Sequence, residues 1–153
     1  MEIFRVTFQP LLLFVGLLIG IYQYYRQQKF KRLQNLSALW RGFTENSDLL
    51  PLFNLMDEIE NGDNSRSDEL KSYNRQVKLR YLALIEEVSL YVTEFEVDKA
   101  YAKYLFQWHL YFPYISKKTA IDFWDNLGGM QEMNASYWQK SRSLATEFAP
   151  EKI

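Results

Sequence analysis

The residues best suited to chemistry in this sequence are basic and aromatic side chains that recur in three places. Lys71, Arg75 and Lys78 stand at i, i+4 and i+7, a spacing that aligns three cations along one strip of a helix, with Arg80 nearby. Lys117 and Lys118 follow Ser116, where the free N–H groups of a helix start already favour an anion. Lys140 and Arg142 flank the aromatic pair Tyr137-Trp138. Such a mixture can hold phosphates by charge and stack bases on aromatic rings. The expected ligand-binding set is Arg75, Lys78, Lys117, Lys118 and Arg142 for phosphate, with Tyr104, His109 and Trp138 for bases. The competing explanation is that these cations pair with the many surface acids.

Other chemistries lack their residues. There is no Cys, so disulfides and thiolate catalysis are excluded, and the one His, His109, cannot supply a zinc or haem site that needs two imidazoles. Gly128-Gly129 lacks the lysine and hydroxyl residue of a phosphate loop, and no Gly-x-Ser-x-Gly elbow occurs. The acidic groups Asp57, Glu58 and Glu60, Glu86 and Glu87, and Asp122 and Asp125 read as solvated helix faces, because acid–base work needs two groups positioned in a cleft. The chain is therefore expected to be no enzyme, with neither cofactor nor metal.

Of the 153 residues 48% are hydrophobic and 17% aromatic, with only 6 Gly and 4 Pro, enough for a core and unlike a disordered chain. The net charge of −1 hides an asymmetry. Residues 26–44 hold Arg26, Lys29, Lys31, Arg32 and Arg41 and no acid, whereas residues 45–153 carry 12 basic and 18 acidic residues. That acidic excess opposes binding of a long nucleic acid.

Eleven consecutive apolar residues run from Leu11 to Ile21, and Phe8 to Tyr25 would rise about 27 Å as a helix, close to a hydrocarbon core. Phe4 and Phe8 at one end and Tyr22, Tyr24 and Tyr25 at the other suit interfacial belts, and Tyr-Gln-Tyr-Tyr-Arg after Ile21 is no signal-peptidase site. One N-terminal transmembrane helix at 1–25 is expected, in the inner membrane, with the N-terminus outside because the basic flank stays in the cytoplasm. Gly16 and Gly20 form a small-xxx-small pair that lets helices approach closely.

Leu33, Leu36, Leu39, Trp40 and Phe43 continue the helical spacing through a basic juxtamembrane helix at 26–44. The remaining residues, 45–153, predict a small cytoplasmic helical domain. Ser47 or Asp48 caps a helix bearing Leu52, Leu55, Met56 and Ile59, before a polar loop at 61–67. A central helix spans Asp68 to about Phe95, with 88–97 also compatible with a strand. Asp98 caps the next, whose Tyr101, Leu105, Trp108 and Phe112 share a face until Pro113 ends it. Ser116 caps another, stopped by Gly128-Gly129, and a last helix runs from Met130 to Phe148.

Through Leu39-Trp40-Arg41, Leu49-Leu50-Pro51-Leu52-Phe53 and Leu82 to Val92, the chain resembles small bacterial single-pass membrane proteins of unknown function. In size and layout it is also similar to the membrane effector of type III CRISPR defence activated by cyclic tetra-adenylate. That second resemblance matches no motif, so it places no binding residue. It implies a homo-oligomer, a tetramer, whose cytoplasmic domain senses a cyclic oligoadenylate and acts on helices in the lipid bilayer in antiviral defence. The fold expectation is all-α, one transmembrane helix followed by a cytoplasmic helical domain. The alternative is an anchored adaptor that docks a protein partner through exposed aromatics.

Overall fold

The computed structural model describes residues 2–95 and 97–150, with side chains from Leu12 onward. All regular structure among them is helical: α1 (Glu2–Thr44), α2 (Leu49–Glu60), α3 (Ser67–Ser72), α4 (Arg75–Glu94), α5 (Lys99–Tyr114), α6 (Ala120–Trp124), α7 (Gly129–Met133) and α8 (Gln139–Phe148), with 3₁₀ turns at Asn64–Arg66, Asp125–Leu127 and Ser136–Trp138. The chain divides into two compact units, one ending at Asn35 and the other beginning at Leu36.

The transmembrane expectation is corrected. Among the described residues no helix is long and apolar enough to cross a membrane. From Leu12 the apolar run reaches only Tyr25, with Gln23 inside it, before Arg26, Gln27, Gln28 and Lys29. That stretch rises about 21 Å, against about 30 Å of hydrocarbon. The part of the expected span at 4–11 lies outside the residues whose side chains are described. The single-pass arrangement falls with the span, and the orientation drawn from charge asymmetry had that span as its premise.

In the first unit, Leu12, Leu13, Phe14, Val15, Leu17, Leu18, Ile19 and Ile21 are all exposed, so α1 carries apolar side chains on every side there. A Cβ added to Gly16 or Gly20 would meet nothing within 4 Å.

The second unit has its own core. Leu36 and Phe43 from the end of α1 join Leu52, Leu55, Met56 and Ile59 of α2, Tyr81, Leu82, Ile85, Val88 and Val92 of α4, Phe106 and Leu110 of α5, Phe123 and Trp124 of α6, and Leu144 and Phe148 of α8. The spacing of three and four along α2 and α4 puts these residues on single faces. Residues 88–94 are helix, which settles the strand alternative up to Glu94; residue 96 lies outside the described residues.

Local capping chemistry sets the breaks. Asn46, two residues before Asp48, caps α2 by accepting the Asp48 and Leu49 N–H groups at 2.9 and 3.3 Å. The expected helix from Asp68 to Phe95 is two helices, because Asn74 turns its side chain to the Gln76 N–H at 2.9 Å and caps α4. Asp98 caps α5 as expected, by accepting from Ala100 and Tyr101. Pro113 lies inside α5, one residue before its end, rather than stopping it. Ser116 accepts the Lys118 and Thr119 N–H groups, both at 3.1 Å, but it closes a turn rather than capping a helix: the helix expected to open at Lys117 begins only at Ala120, with Thr119 at its N-cap. Gly128 and Gly129 adopt φ of 125° and 68°, a conformation that side chains resist, and separate α6 from α7. The expected helix from Met130 to Phe148 is likewise interrupted, with Ala135 extended at φ −58° and ψ 147°.

On α5 the buried face is Ala102, Phe106, His109, Leu110 and Pro113. Tyr101 and Trp108 of the expected face are exposed and Leu105 is only half-buried, while Phe112 is in the core. Counting His109 as polar hid the true stripe.

Candidate functional site

The eight expected ligand residues are distributed over core and surface. Arg75 opens α4 in solvent, and Tyr104 is 78% exposed on α5. Lys117 is exposed. Lys118 reaches back to donate from Nζ to the Glu60 carbonyl at 2.7 Å, satisfying the C-terminus of α2. Glu60 in turn accepts from the hydroxyls of Ser116, at 2.5 Å, and Tyr111, at 3.4 Å. These contacts tie α2 to the turn after α5, so Lys118 serves the fold.

Lys78 is fully buried, on the opposite side of α4 from solvent. Its Nζ donates to Asn126 Oδ1 at 2.9 Å and to the carbonyls of Lys71 and Asp122 at 3.3 and 3.4 Å, and lies 5.5 Å from the centroid of the Phe123 ring. Asn126 also donates to the Tyr73 carbonyl at 2.8 Å. Breaking the helix at Tyr73–Asn74 frees carbonyls at the end of α3, and Lys78 with Asn126 satisfies them. Burial pushes the Lys78 pKa down to about 8, against the opposing pull of Asp125 and Asp122. Lys71 instead faces Asp68 at 3.1 Å and Asp122 at 3.9 Å. The expected cationic strip is therefore split between core and surface.

His109 is a core residue. Its ring lies 4.4 Å from that of Phe43 and 4.3 Å from that of Phe53, and Nδ1 is 3.0 Å from the Tyr81 hydroxyl. Burial pushes its pKa down to about 3, so the imidazole stays neutral in the folded protein at pH 7. The unfolded chain binds a proton near pH 6.5 that the fold refuses until about pH 3. Stability is thus fully present above pH 6.5 and is lost as pH falls towards 3. Between pH 7 and pH 5, above most carboxylate titrations, urea denaturation should show a loss of about 2 kcal/mol. His109→Gln should remove that slope; an unchanged slope would place its origin elsewhere.

Trp138 and Arg142 are the one expected aromatic–cation pair that the structure keeps together. They are one helical turn apart, both half-buried, and Arg142 Nη1 donates to Asn134 Oδ1 at 2.7 Å. The Trp138 ring is 5.9 Å from that of Trp124, which is 5.8 Å from Tyr114. Lys140, between them in sequence, pairs with Glu94 at 2.7 Å. Tyr114, Glu86 and Ser141 belong to the same neighbourhood but come from three different helices, so the sequence showed Glu86 only as half of the acidic pair Glu86-Glu87 and gave no sign of its meeting Tyr114 or Ser141. Ser141 donates to the Glu86 carboxylate.

Among the described residues no group of three or more His, Asp or Glu is placed to hold a metal ion. No family model, curated protein or solved structure matches the chain.

Proposed function

We propose that this chain is a non-catalytic helical assembly module: copies associate through residues 12–25 of α1, and the domain that follows docks a protein partner. The observation that supports this is the exposure of large apolar side chains around the whole circumference of the helix, with Leu13 at 73%, Leu17 at 61% and Ile21 at 44%. Each such side chain moved from water into a packed interface contributes about 1.5–3 kcal/mol. One neighbour covers one face only, so a helix apolar all round calls for a bundle of several copies. Gly16 and Gly20, open to their surroundings, provide a face for close approach. In the domain, Tyr101, Tyr104 and Trp108 stand three and seven residues apart on the exposed side of α5, the aromatic surface that a protein interface favours.

A nucleotide-sensing role finds less support, because Lys78 and His109 are spent on the core. The absence of cysteine makes the test simple. Leu17→Cys should cross-link efficiently between chains under mild oxidation, while Ser143→Cys, exposed on α8, should not. Equal linkage at both positions would overturn the reading. So would single chains floating with liposomes, since lipid would then be what covers the helix.

A further inference from the structure

Three buried donor atoms near the start of α8 make no hydrogen bond of ordinary geometry among the described residues: the Tyr114 hydroxyl, which has the Ser141 hydroxyl close by, Trp138 Nε1 and Arg142 Nε. All three atoms are withdrawn from solvent, and Tyr114 itself is only 7% exposed. Buried donors without acceptors are rare in folded proteins, because each forfeits its hydration. Finding three together is rarer. The ring contacts run from Tyr114 through Trp124 to Trp138, Arg142 follows Trp138 by one turn, and Tyr114 lies beside Ser141 in the field of Arg142 and Glu86. Arg142 has no carboxylate within ion-pair distance among the described residues, although a partly buried guanidinium ordinarily has one.

We propose that Tyr114, Trp138 and Arg142 form a binding site for a carboxylate group, with the exposed ring of Tyr137 at its rim. The cation and the number of donors select an oxyanion over a neutral acceptor. Glu86, held by Ser141, selects a single charge: a phosphate dianion beside that carboxylate would be repelled. Tyr137 is 5.3 Å from Trp138 by ring centroids and 58% exposed, so an apolar body attached to the carboxylate has an aromatic surface to lie on. An aryl or aliphatic acid fits, whether it is a free small molecule or a carboxylate on a peptide. This inference does not depend on assembly through α1.

The four tryptophans allow a direct test on the full chain labelled with 5-fluorotryptophan, whose fluorine spectrum should give four resonances. The Trp138 line is assigned by its loss in Trp138→Phe. Sodium benzoate and a short peptide ending in a phenylalanine carboxylate are titrated beside benzamide, the amidated peptide and inorganic phosphate. The Trp138 resonance should shift saturably with one or both carboxylates and stay in place with the other three. A shift with benzoate alone assigns the site to a small acid, and one with the peptide alone to a protein segment. Arg142→Met should weaken the binding at least about 10-fold and Tyr114→Phe about 3- to 10-fold, with circular dichroism confirming the fold. No shift up to about 10 mM, the range of the weakest specific binding, would overturn the site and leave hydration as the explanation. An equal shift with benzamide would overturn the selection for charge, and one with phosphate the restriction to a single charge. If Arg142→Met does not fold, the comparison of acids with amides on the unaltered chain still decides.

Discussion

Lys78→Ala is expected to lower stability by about 3–4 kcal/mol, more than any other substitution among the basic residues of the domain. The whole side chain is buried, so alanine leaves a cavity where the four-carbon stem was, and it strips partners from Asn126 Oδ1 and the carbonyls of Lys71 and Asp122. One gain opposes this. The lowered Lys78 pKa shows that burying its charge has a cost, which any neutral residue relieves. Lys78→Met keeps most of the packing and gains the same relief, so it should cost about half as much. Arg75→Ala, three residues earlier on the solvent side of the same helix, should change stability by less than about 0.5 kcal/mol. Denaturant melts of the three variants check the order; Lys78→Ala as mild as Arg75→Ala would contradict the buried network.

That contrast marks where the sequence was legible. Lys71, Arg75 and Lys78 share a helical spacing, but the spacing assumes one helix, and the chain breaks at Tyr73–Asn74. The break is held from a distance, by Lys78 and Asn126 on the freed carbonyls, and no local pattern reveals a contact between residues 44–48 positions apart. Signals carried by neighbouring residues fared better: the Asp98 cap and the left-handed Gly128-Gly129 pair depend on atoms within three residues, although Ser116, expected as a helix cap, closes only a turn before Ala120. The inward face of α2 was legible for the same reason. The face of α5 was not, because a neutral His109 packed between Phe43 and Phe53 behaves as an apolar residue. Trp138 and Arg142 were found by spacing, whereas Tyr114 required the fold that brings α5 against α8. The apolar run of α1 was plain in the sequence; what covers it is a property of its surroundings and not of the run itself.

Replacing Gly16 and Gly20 together by leucine is expected to weaken the assembly of α1 strongly without harming the helix. A Cβ added at either position meets nothing within 4 Å, and leucine favours a helix over glycine by about 0.5–1 kcal/mol at each position. Any loss must therefore arise between chains, where two leucines hold the helices apart and forfeit the close packing that glycine allows. An association constant reduced about 100-fold, close to 3 kcal/mol, is the expected scale. The core of the second unit contains neither residue and should melt unchanged.

Sedimentation equilibrium of the full chain tests the assembly most directly, run beside the Gly16→Leu/Gly20→Leu double variant and beside residues 36–153 alone. The full chain should sediment at a discrete multiple of the single-chain mass, the variant should fall towards one chain as it is diluted, and residues 36–153 should sediment as a single chain. A full chain that sediments as one copy at every concentration, with α1 still helical and its apolar side chains in water, would contradict the assembly.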